Sequence, residues 1–243
     1  MRSLIRAFVA LAFSLAPALA QPAPTPTTQA SPASQPSGFE QQLETIDRRA
    51  GAVQDLTAEF VQEKRSPLLR KPLVSRGSVK AKGALALWET IEPERTIMTF
   101  DPKQMRVYYP KQKLVEEYAI QGSLGMMASS PLPRLAAIRQ SFRLMPDDGK
   151  GLAPGDDRTK GVAVRLEPID DAVRQLVDHV RVLLDPDRGY MLAFELTDPD
   201  GEQTVIRFTK LQANSGLTDQ ALQPQLPAGV KVSRPLEGAE ALP

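Results

Sequence analysis

Short apolar runs follow one another so closely between Leu56 and Tyr118 that no helix fits between them. Each run has the length of an ordinary β-strand and contains β-branched or aromatic residues. The runs cover residues 56–63, 74–82, 84–91, 96–100, 105–109 and 114–120, and turn-forming sequences separate them at 92–94, 101–103 and 110–112. This spacing predicts an antiparallel meander that forms one continuous, strongly twisted sheet.

The C-terminal half of the chain returns to the same pattern. Further strand-like runs cover residues 142–145, 162–166, 179–184, 191–196 and 205–211, and aspartate-rich segments separate them at 147–149, 185–189 and 198–201. A calcium loop needs regularly spaced ligands that end in a bidentate glutamate, and none of the three segments has that pattern. We therefore expect hairpin turns at these positions, and no metal site.

Two segments are predicted to be helical. Phe39, Leu43 and Ile46 recur at helical spacing, so a helix over 39–50 presents one apolar face to the sheet. Later, a glycine-bearing stretch at 121–131 precedes a short helix marked by Leu132, Leu135, Ala136 and Ile138. This region is either a plain connection whose apolar residues fill the core or a movable cover over the sheet, since methionines such as Met126 and Met127 adapt to varied apolar partners.

The N-terminus has the features of an export signal. Arg2 and Arg6 precede an apolar segment, and Ala18-Leu19-Ala20 has the small residues of a cleavage site. We expect a signal peptide at 1–20 and a disordered linker of Pro, Ala, Ser and Thr at 21–37. A single domain over 38–243 follows, and the expected location is the periplasm. With 243 residues and 42% hydrophobic content, the chain can bury one substantial core.

Composition and motifs argue against nucleic-acid binding, catalysis and metal binding. A formal charge of +1 gives no strong electrostatic attraction for nucleic acid. The absence of cysteine excludes thiol catalysis, disulfides and thiolate metal sites. His179 is the single histidine, so the familiar triads and zinc sites lack their parts. Glu116 and Glu117 are neighbours on a strand and point to opposite faces, so they do not form a catalytic pair. We expect neither an enzyme nor a bound cofactor or metal.

Several short sequences, in this order, carry a resemblance to a known family. They are Leu56-Thr57-Ala58-Glu59-Phe60-Val61-Gln62, Ser75-Arg76-Gly77, Leu87-Trp88 followed by Glu92-Pro93, Val107-Tyr108-Tyr109-Pro110, Asp200-Gly201, Asn214, Leu217, and Leu226-Pro227-Ala228-Gly229-Val230. Together they resemble the periplasmic outer-membrane lipoprotein carrier family, LolA and its relatives. The resemblance implies a mainly β fold with a few helices, in which a curved antiparallel sheet forms an incomplete, half-open barrel capped by a helical lid.

The resemblance also implies a function. A carrier of this kind shields the acyl chains of a lipoprotein, or of a related lipophilic cargo, in an apolar cavity during transfer toward the outer membrane. Its implied partners are the acylated cargo, an inner-membrane release complex and an outer-membrane acceptor, and we expect a monomer. The residues predicted to line the cavity and lid are Phe60, Leu85, Leu87, Met98, Phe100, Met126, Met127, Leu132, Leu135, Ile138 and Phe194.

One position departs from that family. Its close members have an arginine immediately before the tryptophan, where it holds the lid by hydrogen bonds, and Leu87 occupies that position here. We expect Leu87 to project into a more apolar cavity under a less firmly held lid. Two other functions stay open: a periplasmic sensor or protein-interaction domain on the same scaffold, and a hydrolase of cell-envelope polymers. The hydrolase would need clustered carboxylates in a cleft, which the turn interpretation of the aspartates disfavours.

Overall fold

A computed structural model describes residues 38–119, 131–153 and 161–235. The predicted signal peptide and linker, and the predicted segment with Met126 and Met127, lie outside the described residues. The helices are α1 (Gly38–Gly51), α2 (Leu135–Ile138) and α3 (Asp171–Arg174), with a 3₁₀ helix at Asp219–Leu222. The strands are β1 (Asp55–Arg65), β2 (Leu73–Lys82), β3 (Leu85–Glu92), β4 (Thr96–Phe100), β5 (Gln104–Tyr109), β6 (Leu114–Ala119), β7 (Phe142–Pro146), β8 (Val162–Pro168), β9 (His179–Leu184), β10 (Met191–Thr197), β11 (Gln203–Ala213) and β12 (Lys231–Ser233).

All twelve of these strands belong to one sheet, in the order β12-β6-β5-β4-β3-β2-β1-β11-β10-β9-β8-β7. The first and last strands in this order are not paired with each other, so the sheet stays open. Every pair is antiparallel except β12 with β6, in which Lys231 lies opposite Leu114. The predicted mainly β fold with an incomplete barrel is therefore confirmed. Strand β12 was not predicted, because its three residues carry no alternating pattern long enough to recognise.

Helix α1 lies on one face of the sheet. Its Leu43 and Ile46 side chains are fully buried. Arg48 and Arg49 occupy the last turn, where the helix dipole stabilises positive charge. The predicted helix over 39–50 is thus confirmed. We refer to the face that α1 covers as the inner face. No described helix is both long enough and apolar enough to serve as a transmembrane span.

The opposite, outer face is covered in two places. Residues 147–153, which begin the connection between β7 and β8, lie over β9 and β10, where Leu152 and Ala153 pack with Leu183 and Ala193. This connection is not the tight hairpin turn predicted from the aspartates at 147–149, because it spans 147–161. The other two aspartate-rich segments do join neighbouring antiparallel strands, β9 to β10 and β10 to β11, as predicted.

An arginine on the outer face holds the β7–β8 connection. The Arg181 guanidinium donates to Asp147 at 2.7 Å and to Glu195 at 3.1 Å, and all three side chains are largely buried. Burial raises the pKa of the Asp147 carboxyl, but the hydrogen bonds from Arg181 and from the Gly149 N–H outweigh it and lower the pKa. Asp147 is therefore an ion-pair partner, and its role is structural.

The C-terminal segment covers the second part of the outer face. Leu222 and Val230 pack there against side chains of β3, β4, β5 and β6. The segment is held at its start by Asp55, a buried carboxylate in β1. Asp55 accepts hydrogen bonds from Ser215 N–H and Oγ at 2.8 Å each, from Gly216 N–H at 2.9 Å and from Leu217 N–H at 3.1 Å.

The Asp55 carboxyl makes stability depend on pH. Burial raises its pKa, but the hydrogen bonds from Ser215, Leu217 and Gly216 outweigh burial, so the pKa lies below the ordinary 3.8. A carboxyl with a depressed folded-state pKa stabilises the protein above its unfolded-state pKa. That stabilisation is lost as pH falls through the folded-state value.

We predict that Asp55→Asn lowers the free energy of unfolding at neutral pH. The difference from the wild type should shrink as the pH falls from 3.8 toward the lower folded-state pKa, because the Asp55 carboxyl then binds a proton more readily in the unfolded chain than in the folded one. Urea unfolding at several pH values measures this, and Asp187→Asn, at a side chain that is 91% exposed, is the control. A difference that stays constant across the acid range would contradict the role assigned to the Asp55 charge.

Candidate functional site: an apolar interior under a short cover

Three aromatic rings form the centre of the inner face. Phe60 of β1 and Trp88 of β3 have ring centroids 5.2 Å apart, and Trp88 and Phe208 of β11 have centroids 5.8 Å apart. Both pairs are tilted, the arrangement in which the positive edge of one ring meets the negative face of the other. This aromatic row crosses the middle of the sheet and is buried.

The glycine in β2 makes room for the aromatic row. Gly77 lies directly opposite Phe60 across the β1–β2 ladder. A Cβ atom at position 77 would lie 2.7 Å from the Phe60 ring and 2.0 Å from the backbone oxygen of Glu89. The ring therefore lies over bare backbone, which explains why the Ser75-Arg76-Gly77 sequence has glycine at position 77.

Apolar side chains from helices and strands close over the aromatic row. Leu43 and Ile46 of α1, and Leu135 and Ile138 of α2, belong to the same continuous buried cluster as Trp88. The interior is thus walled by the sheet on one side and by two helices on the other. It presents hydrocarbon and aromatic surface with few polar atoms, which suits burial of an acyl chain.

Polar contacts attach the segment that carries α2, residues 131–141, which we name the cover. Asp47 of α1 accepts a hydrogen bond from the Leu135 N–H at 3.0 Å, and Arg139 pairs with Glu40 of α1. Next to Leu135, Arg134 donates to the Gly83 carbonyl oxygen. Sequence reasoning missed these attachments. The spacing of Glu40 and Asp47, which places both carboxylates on one side of α1, was the signal that could have found them.

The structure brings together six of the predicted site residues. Phe60, Phe100, Leu135 and Ile138 are members of the inner cluster, and Met98 and Phe194 pack against it while remaining partly exposed. Leu132, in the cover, is buried. Met126 and Met127 lie outside the described residues. That these side chains line a lipid cavity stays a prediction.

The prediction for Leu85 and Leu87 is wrong. Both lie on the outer face, in the cluster that Leu222 and Val230 of the C-terminal segment cover, and Trp88 is the residue of β3 that faces the interior. Alternation along β3 correctly separated the two sets of side chains, but it does not say which set faces inward. Because both faces are covered here, apolar residues occur on both. Leu87 faces away from the cover, so it does not occupy the place of a lid-holding arginine.

The interior becomes polar toward the end of β1. Gln62 and Lys64 share the strand face of Phe60 and are buried, as is Thr204, which lies opposite Lys64 on β11. The Lys64 ammonium lies 2.6 Å from Glu202, and its hydrogen bond lowers the pKa of that carboxyl. The apolar interior thus ends in a charged and amide-bearing boundary.

A second polar feature borders the interior at β6. Tyr109 and Tyr118 both donate their hydroxyl hydrogens to Glu116, at 2.9 and 2.8 Å. Burial of the Tyr118 hydroxyl, together with its bond to the Glu116 carboxylate, raises the pKa of Tyr118. Glu117 points the other way and pairs with Arg106 and Arg234, so the predicted opposite orientation of the two glutamates is confirmed.

A separate cleft of 340 Å³ has a different chemistry. It is lined by Arg143, Arg165, Glu167, Pro168, Ile169, Arg174, Val177 and Asp178. Charged side chains of both signs dominate this lining, so it does not offer the apolar wall that an acyl chain needs. Within residues 38–119, 131–153 and 161–235, no three His, Cys, Asp or Glu side chains are grouped so as to hold a metal ion.

Comparison with known proteins agrees with this architecture. The family model "Outer membrane lipoprotein carrier protein LolA" matches residues 51–225. An outer-membrane lipoprotein carrier protein of Hahella chejuensis is 27% identical over 190 residues, which is 75% of this chain and 83% of that protein. The crystal structure of an uncharacterised conserved protein from Thermus thermophilus superposes with a TM-score of 0.51 at 12% identity and covers 82% of this chain and 99% of that one.

An open antiparallel sheet whose inner face is covered by a helix and a short crossing segment defines a class of half-barrel proteins with an apolar interior. Within that class, the chain belongs to the LolA family of outer membrane lipoprotein carrier proteins. The family model begins at the end of α1 and ends just after the 3₁₀ helix, so it spans β1 to β11.

We predict that Gly77→Ala destabilises the protein by about 1–3 kcal/mol, the usual range for overpacking. The added methyl group must displace both the Phe60 ring and the backbone of β3. Chemical denaturation measures the change. Gly51→Ala is the matched control, because its Cβ would meet no atom within 4 Å. Equal stability of both variants would show that the ring does not depend on bare backbone at position 77.

We also predict that Asp47→Ala loosens the cover without unfolding the sheet. The variant leaves the Leu135 N–H without its acceptor, which costs about 1–3 kcal/mol when such a group stays buried. Hydrogen exchange should therefore speed up at residues 135–139 and stay unchanged in β1 and β11. Glu44→Ala, an exposed position on the same helix, is the control. Uniform acceleration across the sheet would mean that Asp47 supports the whole fold instead.

Proposed function

We propose that this protein is a periplasmic carrier that shields the acyl chains of lipoproteins, or of a related lipophilic cargo, during transfer toward the outer membrane. The observation that carries the proposal is an aromatic and aliphatic interior closed by a cover that is attached through polar, partly exposed contacts. Membership of the lipoprotein carrier family supports it. Export by a signal peptide at 1–20, a linker at 21–37 and a single domain at 38–243 are parts of the same proposal.

The energetics favour exchange of the cover for an acyl chain. Each buried methylene contributes roughly 0.8 kcal/mol, so a chain of about ten contributes about 8 kcal/mol. Displacing Leu135 and Ile138 from the interior forfeits about 1.5–3 kcal/mol each. The partly exposed ion pair between Arg139 and Glu40 adds only about 0.2–1 kcal/mol. Cargo therefore has enough apolar surface to replace the side chains that the cover withdraws.

The polar boundary gives the cargo an orientation. Acyl chains fit against Phe60 and Trp88, and a glycerol or peptide group fits beside Gln62 and Lys64, whose polar atoms lie at the end of the same strand face. A membrane complex that releases cargo and an outer-membrane acceptor are the partners that family membership implies. We propose that the carrier acts as a monomer between them.

The test begins with protein purified from the periplasm. Native mass spectrometry should detect a bound lipid or acylated polypeptide, and organic extraction should identify it. A fluorescent fatty acid should bind the emptied protein and compete with the extracted cargo. A signalling protein recovered in place of lipid would support the sensor or interaction domain and overturn the carrier.

Met98→Gln should weaken binding of the fluorescent fatty acid by up to about tenfold, because a partly buried apolar contact is replaced by a polar side chain. Met98 lies opposite Trp88 across the β3–β4 ladder, on the inner face. Leu226→Gln, at an exposed position, is the control and should bind as the wild type does. Equal affinity of all three proteins would place the acyl chain elsewhere.

A further inference from the structure

The connection between β1 and β2 carries an unusual concentration of exposed apolar side chains. We name residues 65–76 the hairpin tip. Of the eight large apolar side chains that are exposed in the described part of the chain, five lie in the tip or beside it: Leu68, Leu69, Leu73, Val74 and Ile91. Leu68 is 91% exposed. Such clustering marks an interaction surface, whereas single exposed apolar residues need no explanation.

The tip projects beyond its neighbours in the sheet. β11 pairs with β1 only as far as Arg65, and β3 pairs with β2 no farther than Arg76. Among the strands that the structure describes, none therefore lies beside residues 66–72. A turn fixes them, in which the Leu69 N–H donates to the Ser66 carbonyl oxygen at 3.0 Å. Pro67 and Pro72 restrict the backbone further, so the leucines are held outward.

The charge on the tip has one sign. Arg65, Arg70, Lys71 and Arg76 are its ionisable residues, and the segment contains no carboxylate. Arg65 pairs with Glu63, and Arg76 has only a long contact of 3.9 Å with Glu92. Arg70 and Lys71 have no salt bridge within residues 38–119, 131–153 or 161–235. These four cations stand out in a chain whose formal net charge is only +1.

We propose that the hairpin tip docks on the surface of an anionic lipid bilayer. Leu68 and Leu69 enter the boundary between headgroups and acyl chains, and Arg70 and Lys71 bind lipid phosphates. A convex, ordered tip with apolar residues at its end and cations beside them matches the interfacial region of a membrane. Each cation near such a surface strengthens binding by about fivefold at low salt.

Docking brings one end of the molecule to the membrane. The tip continues directly from Gln62 and Lys64, so the polar boundary of the interior lies at the membrane-facing end. This consequence rests on the proposed function, because it matters only if cargo enters or leaves there. The docking itself needs no cargo, so membrane docking and cargo carriage can be tested separately.

Vesicle co-sedimentation tests the proposal, with protein purified from the periplasm and vesicles of phosphatidylglycerol and phosphatidylethanolamine. The wild type should bind, and binding should fall as salt rises. Arg70→Gln with Lys71→Gln should weaken it roughly thirtyfold at low salt. Leu68→Gln with Leu69→Gln should weaken it at least about tenfold. Matched controls are Lys103→Gln with Lys231→Gln, and Ile169→Gln with Leu226→Gln, all at exposed positions elsewhere.

A second measurement reports insertion directly. Trp88 is buried and is the single tryptophan, so Leu68→Trp adds a probe at the tip. Its emission should shift to shorter wavelength on addition of anionic vesicles, and Leu226→Trp should not respond. Equal binding by tip and control variants, or no binding by the wild type, would overturn the proposal. So would concentration-dependent self-association that the Leu68 and Leu69 substitutions abolish, because the tip would then meet a second copy. Tip variants should still copurify with cargo.

Discussion

The covering elements of the inner face depend on the contact between the Phe60 ring and the bare backbone of Gly77. Because no side chain separates ring from backbone at that point, Phe60 lies close to the sheet, and Trp88 and Phe208 continue the row. Helix α1 and the cover lie on the same side of the sheet as this row. Side chains of the row, of α1 and of the cover belong to one buried cluster. A glycine whose role is not visible in the sequence thus allows the Phe60 ring to lie against the sheet.

The two faces of the sheet are covered in different ways. On the outer face, buried groups make the attachments: Asp55 holds the C-terminal segment, and Arg207 donates to the carbonyl oxygens of Gly151 and Leu152. On the inner face, the cover is held by an ion pair that water reaches, by the hydrogen bond from the Leu135 N–H to Asp47, and by backbone hydrogen bonds that Pro131 and Ser141 accept from Met191 and Ile169. Water competes with exposed contacts far more than with buried ones. The outer coverings are thus held mainly by buried groups, whereas part of the attachment of the inner cover is exposed to water.

Most of the fold could be predicted from the sequence, but only part of the candidate site could. Strand runs, turn chemistry and the apolar stripe of α1 follow from local periodicity, so their positions were predictable. Leu85 and Leu87 were assigned to the wrong face because periodicity groups residues without saying which group faces inward. The deciding fact is long-range: Leu222 and Val230, more than a hundred residues later, cover that face. The ion pair of Asp147 was also missed, because its partner Arg181 is distant in the sequence and lies on another strand.

The short β12 has a consequence for how copies of this protein meet one another. An open sheet exposes unpaired N–H and C=O groups along both borders, and a long, flat border can recruit strands from other chains. Here β12 adds three residues beside β6. At the other border, β7 has five residues and ends in Pro146, which has no N–H to donate. A sheet of twelve strands thus offers little template for fibril growth, although neither of its borders is closed by pairing with the other.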